Sequence, residues 1–443
     1  MWERLRSVWT IPDLRNKILF TLGILLLTRV LANITIPLTH TEQTALFNLF
    51  HSNSNQNLGQ LLGLLDVFSG GSLQHFSIVA LGVYPYITAT IVMQLLQPIV
   101  PALQNMTMQG EAGRLRFSQI TRIITVPLAL LQALGNLALY QQAGVLQNFS
   151  LIDPQYALES WTIMLVLTAG TMILVWLGEL ITEKGIGNGV SLIIFAGILS
   201  GLPSFINQGY LTSSSSSGSG SGIVSIAAFL IVGLITIVGI VYIYLGQRRI
   251  PVQYPTKRMV GRGMMVGSAQ TTYIPMQVNS AGMIPLIFAQ SMLLFPSILS
   301  RYLGTSTTPW LKNAAQWVGT YLANPAEWWY WAIYFLLTVA FTYFYAYVMW
   351  QQQNIPENLQ KQGAFIPGYR PGEPTSRYLE TILTRITLGG ALFLGIVAIL
   401  PYLIHANQLL SSAALLIAVG VVLDTVRQLE SQMVMRNYSG FLS

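Results

Sequence analysis

The chain has 443 residues, of which 53% are apolar and only 8% charged. Soluble domains carry about 25% charge, so a surface this poor in charge must face lipid, which excludes most soluble enzymes. The absence of cysteine and the presence of only four histidines remove disulfide frameworks, thiol nucleophiles, iron–sulfur clusters and Cys-based zinc sites, while the net charge of +7 has to be located before it can be interpreted. A helix needs about 20 mostly apolar residues to cross a ~30 Å hydrocarbon layer. Ten windows qualify: residues 17–36, 74–97, 117–140, 159–178, 187–206, 223–245, 278–299, 328–350, 380–401 and 409–426. The expected fold class is an all-α polytopic membrane protein with ten transmembrane helices. The first window follows Arg4, Arg6, Arg15 and Lys17 but runs on past Arg29 without a small-residue cleavage site, which predicts an uncleaved span. Arg29, inside that span, is expected to snorkel to the outer interface.

Between the first two windows, Leu58, Leu61, Leu62, Leu65 and Phe68 recur at helical spacing, Asn57 can cap the start and Gly70-Gly71 can end the run. A helix over 57–69 is too short to cross a bilayer and reads as re-entrant or as interfacial. Gly185-Ile-Gly-Asn-Gly189 looks like a dinucleotide loop but lies between two spans without a βαβ context. A tight turn in which Asn188 caps the fifth span fits it better. The Ser/Gly run at 213–222 is a flexible linker between two halves, 1–212 and 223–443. Two loops are long: 246–277, where Val252 and Tyr254 alternate like a short strand, and 351–379, where Pro and Gly fix turns around Arg370.

Placing the basic residues on alternate sides tests the span count. One side collects Arg4, Arg6, Arg15, Lys17, Arg114, Arg116, Arg122, Lys184, Arg248, Arg249, Lys257, Arg258, Arg262, Lys361, Arg370, Arg377, Arg385, Arg427 and Arg436. The other has only Arg301 and Lys312, with Arg29 inside a span. Nineteen against two predicts an even number of spans and two cytoplasmic termini, so most of the net charge reflects topology. Five spans per half also permit an inverted repeat.

Catalytic chemistry is missing from the pattern: there is no Walker A sequence, paired-carboxylate constellation, His-x-x-x-His site or Gly-x-Ser-x-Gly elbow. An ion-coupled carrier should keep ionisable groups near the bilayer midplane, yet Arg122, Glu179 and Asp424 fall near span ends. What the spans do present are branched residues one turn apart, Ile87 with Ile91 and Val190 with Ile194. Such pairs suit lipid, a bundle core or a pore.

Six stretches, taken together, resemble one family. They are Gly63-Leu-Leu-Asp-Val-Phe-Ser-Gly-Gly71, Ala80-Leu-Gly-Val-Tyr-Pro-Tyr-Ile87, Glu183-Lys-Gly-Ile-Gly-Asn-Gly-Val-Ser191, Gln247-Arg-Arg-Ile-Pro-Val-Gln-Tyr254, Gly363 to Pro374, and Met435-Arg-Asn-Tyr-Ser-Gly-Phe-Leu442. In that order they are similar to the SecY family, the channel-forming subunits of the Sec protein translocon, of cyanobacterial or plastid type. The Ser/Gly run at 213–222 departs from the usual family loop. The resemblance implies a protein-conducting channel with no enzymatic activity and no cofactor, in the plasma or thylakoid membrane. It implies that the 57–69 helix, with Leu58, Leu61, Leu62, Leu65, Asp66 and Phe68, is a re-entrant plug. It places Ile87, Ile91, Val190, Ile194, Ile287 and Ile417 in a pore ring, and Gln94 and Asn279 near a lateral gate between spans 2 and 3 and spans 7 and 8.

On the cytoplasmic side, the resemblance gives Arg248, Arg249, Lys257, Arg258, Arg262 and Arg370 to the surface that docks the SecA ATPase or a ribosome, with SecE clamping the halves and SecG peripheral. Substrates would be secretory and membrane polypeptides, the latter released into the lipid bilayer. An ion-coupled solute transporter and a non-transporting scaffold subunit are the competing readings.

Overall fold

The computed structural model describes residues 11–37, 39–51, 66, 69–142, 144–146, 153–201, 221–260, 264–282, 284–304, 309–322, 327–403 and 412–439. Their elements, in chain order, are α1 (Pro12–Ala32), α2 (His40–His51), α3 (Tyr84–Leu96), α4 (Pro101–Met108), α5 (Glu111–Gln142), α6 (Pro154–Lys184), α7 (Gly189–Gly201), α8 (Ser221–Leu245), β1 (Gln247–Val260), β2 (Met264–Gln277), α9 (Ile284–Gly304), α10 (Pro309–Tyr321), α11 (Trp328–Gln353), α12 (Ile355–Lys361), α13 (Glu373–Leu403) and α14 (Ser412–Ser439). Among the described residues, 115–141, 157–184, 328–361 and 373–400 are long and apolar enough to cross a membrane. Shorter apolar helices cover Gly189–Gly201, Gly233–Leu245 and Ile284–Leu293. Leucines and isoleucines such as Leu26, Ile123, Leu158, Leu234 and Leu336 stand exposed on these helices, as a lipid-facing surface requires.

The second window differs from the expectation. Helix α3 begins only at Tyr84, with Pro85 in its first turn, and residues 70–83 form a chain of turns instead of the first half of a span. Hydropathy is blind to the reason: Gly70, Gly71 and Gly82 take left-handed backbone angles (φ 71°, 83° and 59°) that break a helix. This irregular backbone is satisfied by pairing with the chain after α1, Ile36 N–H donating to the Phe76 carbonyl and Ile78 N–H to the Ile34 carbonyl, each at 3.0 Å. Its apolar side chains, Leu73, Phe76, Ala80 and Leu81, pack with Leu137 and Tyr140 of α5 and Met164 and Leu167 of α6. The Phe76 and Tyr140 rings meet edge to face at 5.3 Å.

A second difference is that the fold is not purely α. Where a short strand was expected near 252–254, β1 and β2 form a 14-residue antiparallel ribbon running from Gln247↔Gln277 to Val260↔Met264. The prolines fit because of where the outer edge lies. Gln253 turns its N–H and C=O outward to exchange two hydrogen bonds with Phe365 (2.9 and 3.0 Å), so Pro251 and Pro255, two residues to either side, sit where no inner ladder donor is lost. The foot of the ribbon buries Ile250, Val252 and Met276 against Trp350, Leu359, Ile366, Leu379 and Ile382, a core of its own.

Smaller departures are the short helices α2, α4, α10 and α12, and the start of α8 at Ser221, two residues inside the expected linker. Asn354, at φ 43°, ends α11, and Pro356 opens α12 directly after it. The rest of the linker lies outside the described residues.

Candidate functional site

The turn between α6 and α7 is built as expected. Asn188 Oδ1 accepts from Ser191 N–H at 3.2 Å, Thr182 Oγ1 accepts from Gly189 N–H at 2.9 Å, and a methyl group at Gly189 would overlap the Gly178 carbonyl. Such backbone proximity locks the start of α7 and aims Val190 and Ile194 inward.

The largest core among the described residues lies where helices of both halves meet. Ile194 from α7, Ile287 from α9 and Ile417 from α14 are buried in it, with Ile87 from α3 and Val190 half-buried against it. Five of the six ring residues therefore share one cluster. The sixth, Ile91, lies one turn further along α3 in a neighbouring cluster with Ala281, Phe288 and Tyr345, and Ile87 touches both. Branched side chains have few rotamers and no polar atoms, so the centre they build attracts neither water nor ions yet offers no directional bond that would have to break when it widens.

The neighbouring cluster is a seam: α9 touches α3 and α5, and Phe288 stands edge-on to Phe341 (5.8 Å) and Tyr345 (6.1 Å) of α11. Polar atoms along it are under-satisfied. Asn279 donates from Nδ2 to the Gly282 carbonyl at 3.1 Å, but its Oδ1 has no partner, and neither do Gln94 Oε1, Ser280 Oγ and Gln290 Oε1. Side-chain hydrogen bonds of Tyr84 with Ser291 and of Gln94 with Tyr345 cross the same seam, so it carries both paired and unpaired polar groups.

Of the residues expected in a plug, Leu58, Leu61, Leu62, Leu65 and Phe68 lie outside the described residues. Asp66 is described and buried. Its Oδ1 accepts from the N–H groups of Leu73 (3.0 Å) and Gln74 (3.1 Å) and from Ser69 Oγ (3.3 Å). Burial pushes its pKa up to about 6, against the opposing pull of those hydrogen bonds and of His75. Arg29 departs from the snorkelling expectation. It turns inward, Nη1 donating to the Gly70 carbonyl at 2.9 Å and to Ser200 Oγ at 2.7 Å. Its partners lie 41 and 171 residues away in sequence, so only its position away from the ends of its span could have flagged it.

At the end of the molecule that carries the ribbon, Arg248 and Arg249 are exposed at its foot and Arg370 is exposed on the 363–374 segment. Gly368 (φ 91°) and Gly372 (φ 104°) flank Arg370, and Thr375 Oγ1 donates to its carbonyl at 2.7 Å, which fixes the turn presenting it. Lys257 and Arg258 are on β1 toward the tip, whereas Arg262 lies outside the described residues. Beside this segment, Arg248, Arg377 and Arg385 and the stacked rings of Tyr369 and Tyr378 (4.0 Å) line an open cleft of about 580 Å³. No cluster of metal-ligating side chains occurs among the described residues.

Comparison with known proteins agrees with this arrangement. The SecY family model matches residues 77–426. The protein translocase subunit SecY of Mycobacterium bovis is 42% identical over 97% of both chains. Among solved structures, one described as showing that the plug domain of SecY stabilises the closed state of the translocation channel aligns with a TM-score of 0.61 at 18% identity, over 94% of this chain and 92% of that one. Sec61 in the canine ribosome–channel complex aligns at 0.57 and 18%, with the same coverage. With its family model matching most of its length and a 42% identical relative covering 97% of it, this chain belongs to the SecY family.

Proposed function

We propose that this chain is the central protein-conducting channel of a Sec translocase, passing unfolded secretory polypeptides across the membrane and releasing transmembrane segments sideways into lipid. The observation that carries this reading is the convergence of Ile87, Val190, Ile194, Ile287 and Ile417, drawn from four helices of both halves, on one apolar centre. Such a ring gates by dewetting and yields around a chain of any sequence. With no catalytic constellation in the sequence, the chain hydrolyses nothing, and the driving energy comes from SecA or a translating ribosome.

The remaining parts follow from the same reading. Ten spans form two five-helix halves related as an inverted repeat, joined by the 213–222 linker, with both termini cytoplasmic. The 57–69 helix re-enters from outside as a plug. The seam with Gln94 and Asn279 is the lateral gate, and Arg248, Arg249, Lys257, Arg258, Arg262 and Arg370 dock the cytoplasmic motor through salt-screened contacts. SecE and SecG complete the complex, in the plasma or thylakoid membrane. The deciding experiment places a photoreactive residue at Ile87 and at Ile194 and stalls a secretory chain in transit. Adducts at both positions are expected; none at either, in a preparation shown to export, would move the path elsewhere.

A further inference from the structure

Helix α10, between α9 and α11, has no part in the channel reading, yet its side chains sort into three faces at helical spacing. The inner face holds Leu311, Ala315, Val318 and Gly319. Ala315 is buried, the others are half-buried, and a methyl group at Gly319 would stand 3.7 Å from Ser300 Oγ of α9. Trp310, Ala314, Trp317 and Tyr321, at i, i+4, i+7 and i+11, line one flank and are all exposed. Trp310 is 76% exposed and Trp317 59%, and the Trp317 and Tyr321 rings lie 5.4 Å apart. Lys312, Gln316 and Thr320, at i, i+4 and i+8, line the opposite flank and are exposed too. Bare rings gathered on one flank mark a surface that something else covers.

Helix α11 supplies the level. It is long and apolar enough to cross a membrane, and it opens with Trp328 and Trp329, exposed and stacked at 4.0 Å. Nearer the ribbon the same helix exposes Tyr347, and from Trp328 to Tyr347 it rises about 28 Å. That span is close to the ~30 Å of a hydrocarbon layer, and exposed Leu336 lies between its ends. Trp and Tyr collect at the two faces of a bilayer, where an apolar ring with a polar edge sits among headgroups. Because Trp350 belongs to the core at the ribbon foot, Trp328 stands at the end of α11 remote from the ribbon.

We propose that α10 lies flat in the headgroup layer of the bilayer, with its Trp310–Trp317–Tyr321 flank at the acyl boundary and its Lys312–Gln316–Thr320 flank in water. The inference goes beyond the channel reading and needs only that α11 spans the membrane. Continuity decides for lipid over a protein partner, since the aromatic flank ends in the chain shortly before the ring pair that opens a span. Charge agrees: the one charged residue of α10, Lys312, is on the polar flank, where an ammonium can meet lipid phosphate. Through Ala315 and Gly319 the helix then holds the remote end of α9 at a fixed depth.

The chain has no cysteine, so single cysteines can carry nitroxide labels in the full complex in proteoliposomes. Each label is read for collision with oxygen, which concentrates in lipid, and with a water-soluble nickel chelate. The oxygen-to-nickel ratio should be several-fold higher for Trp310→Cys, Ala314→Cys, Trp317→Cys and Tyr321→Cys than for Lys312→Cys, Gln316→Cys and Thr320→Cys. Along the helix it should oscillate with a period of about 3.6 residues. If the variants that lose a ring do not accumulate, Ala314→Cys against Thr320→Cys makes the same comparison with every ring in place. Leu336→Cys is the lipid reference. Nickel access on both flanks would lift α10 clear of the membrane, and shielding of the aromatic flank from both reagents would put a protein on it. Either result, with Leu336→Cys reading as lipid, overturns the inference and leaves the span standing. A Leu336→Cys label open to nickel would overturn the span and the inference with it.

Discussion

The turn segment 70–83 and the central apolar cluster lie side by side and are held in opposite ways. The segment packs on Leu137 and Tyr140 and is in addition fixed by directional bonds: Asp66 gathers Leu73 and Gln74, Arg29 holds Gly70, and the chain after α1 pairs with residues 76 and 78. The cluster around Ile194, Ile287 and Ile417 has only packing. The difference separates a segment bonded into one arrangement from an apolar centre whose contacts carry no direction. Directional bonds select one arrangement and break as a unit, whereas dispersion contacts among branched side chains can be remade around any shape.

Four perturbations test that contrast, in decreasing order of effect. Phe76→Ala removes the ring that packs on Tyr140, and truncation of a buried aromatic costs about 3–5 kcal/mol. The purified complex should melt several degrees lower, and an unchanged melting temperature would show that the segment is not held by this core.

Next comes Asp66. With its carboxyl raised from 3.8 to about 6, the folded protein keeps a proton between those pH values that the unfolded chain has lost. Stability therefore falls as pH rises through that window, by about 3 kcal/mol in total, and is flat above it. Melting curves from pH 4 to 7 should show this fall. Asp66→Asn should abolish it while retaining the Oδ1 acceptor, and persistence of the slope in Asp66→Asn would assign it to another group.

Ile417→Asn places a polar amide at the fully buried centre, at a cost of about 1–3 kcal/mol if it finds no partner. It should wet the constriction, raise resting ion leak and loosen rejection of defective signal sequences. Ile417→Val, which preserves shape and polarity, should do neither. Equal leak from both variants would remove the distinction between packed and bonded parts.

The smallest effect belongs to the exposed arginines around the ribbon foot. Arg370→Glu should slow motor-driven export with no change in melting temperature, since an exposed charge contributes about 1 kcal/mol or less to the fold. Raising salt should narrow the gap between wild type and variant, and a salt-independent gap would argue against electrostatic docking.

Hydropathy and turn chemistry made much of this legible in the sequence. Helices overlie the apolar windows, Asn188 caps where its spacing suggested, and the glycines around Arg370 fix its turn. Local chemistry sufficed because each of these depends on residues a few positions apart. It failed at 74–83, where apolar composition is compatible with both a span and a buried turn, and only the left-handed glycines and the pairing with residues 34 and 36 decide. It failed again at the ribbon, whose prolines argue against a strand until the outer edge is known. Arg29 could be seen but not interpreted, because a charge in a span is expected to reach for water unless a tertiary partner is closer.

The exchange of two hydrogen bonds between Gln253 and Phe365 makes the ribbon a lever. Its foot shares a core with Leu379 and Ile382 near the start of α13, and the same helix reaches the central cluster with Leu394, Val397 and Ala398. From Ile382 to Val397 a helix rises about 22 Å as one stiff rod. Torque applied to the ribbon therefore has a continuous mechanical route to the central apolar cluster, without any residue in between having to unfold.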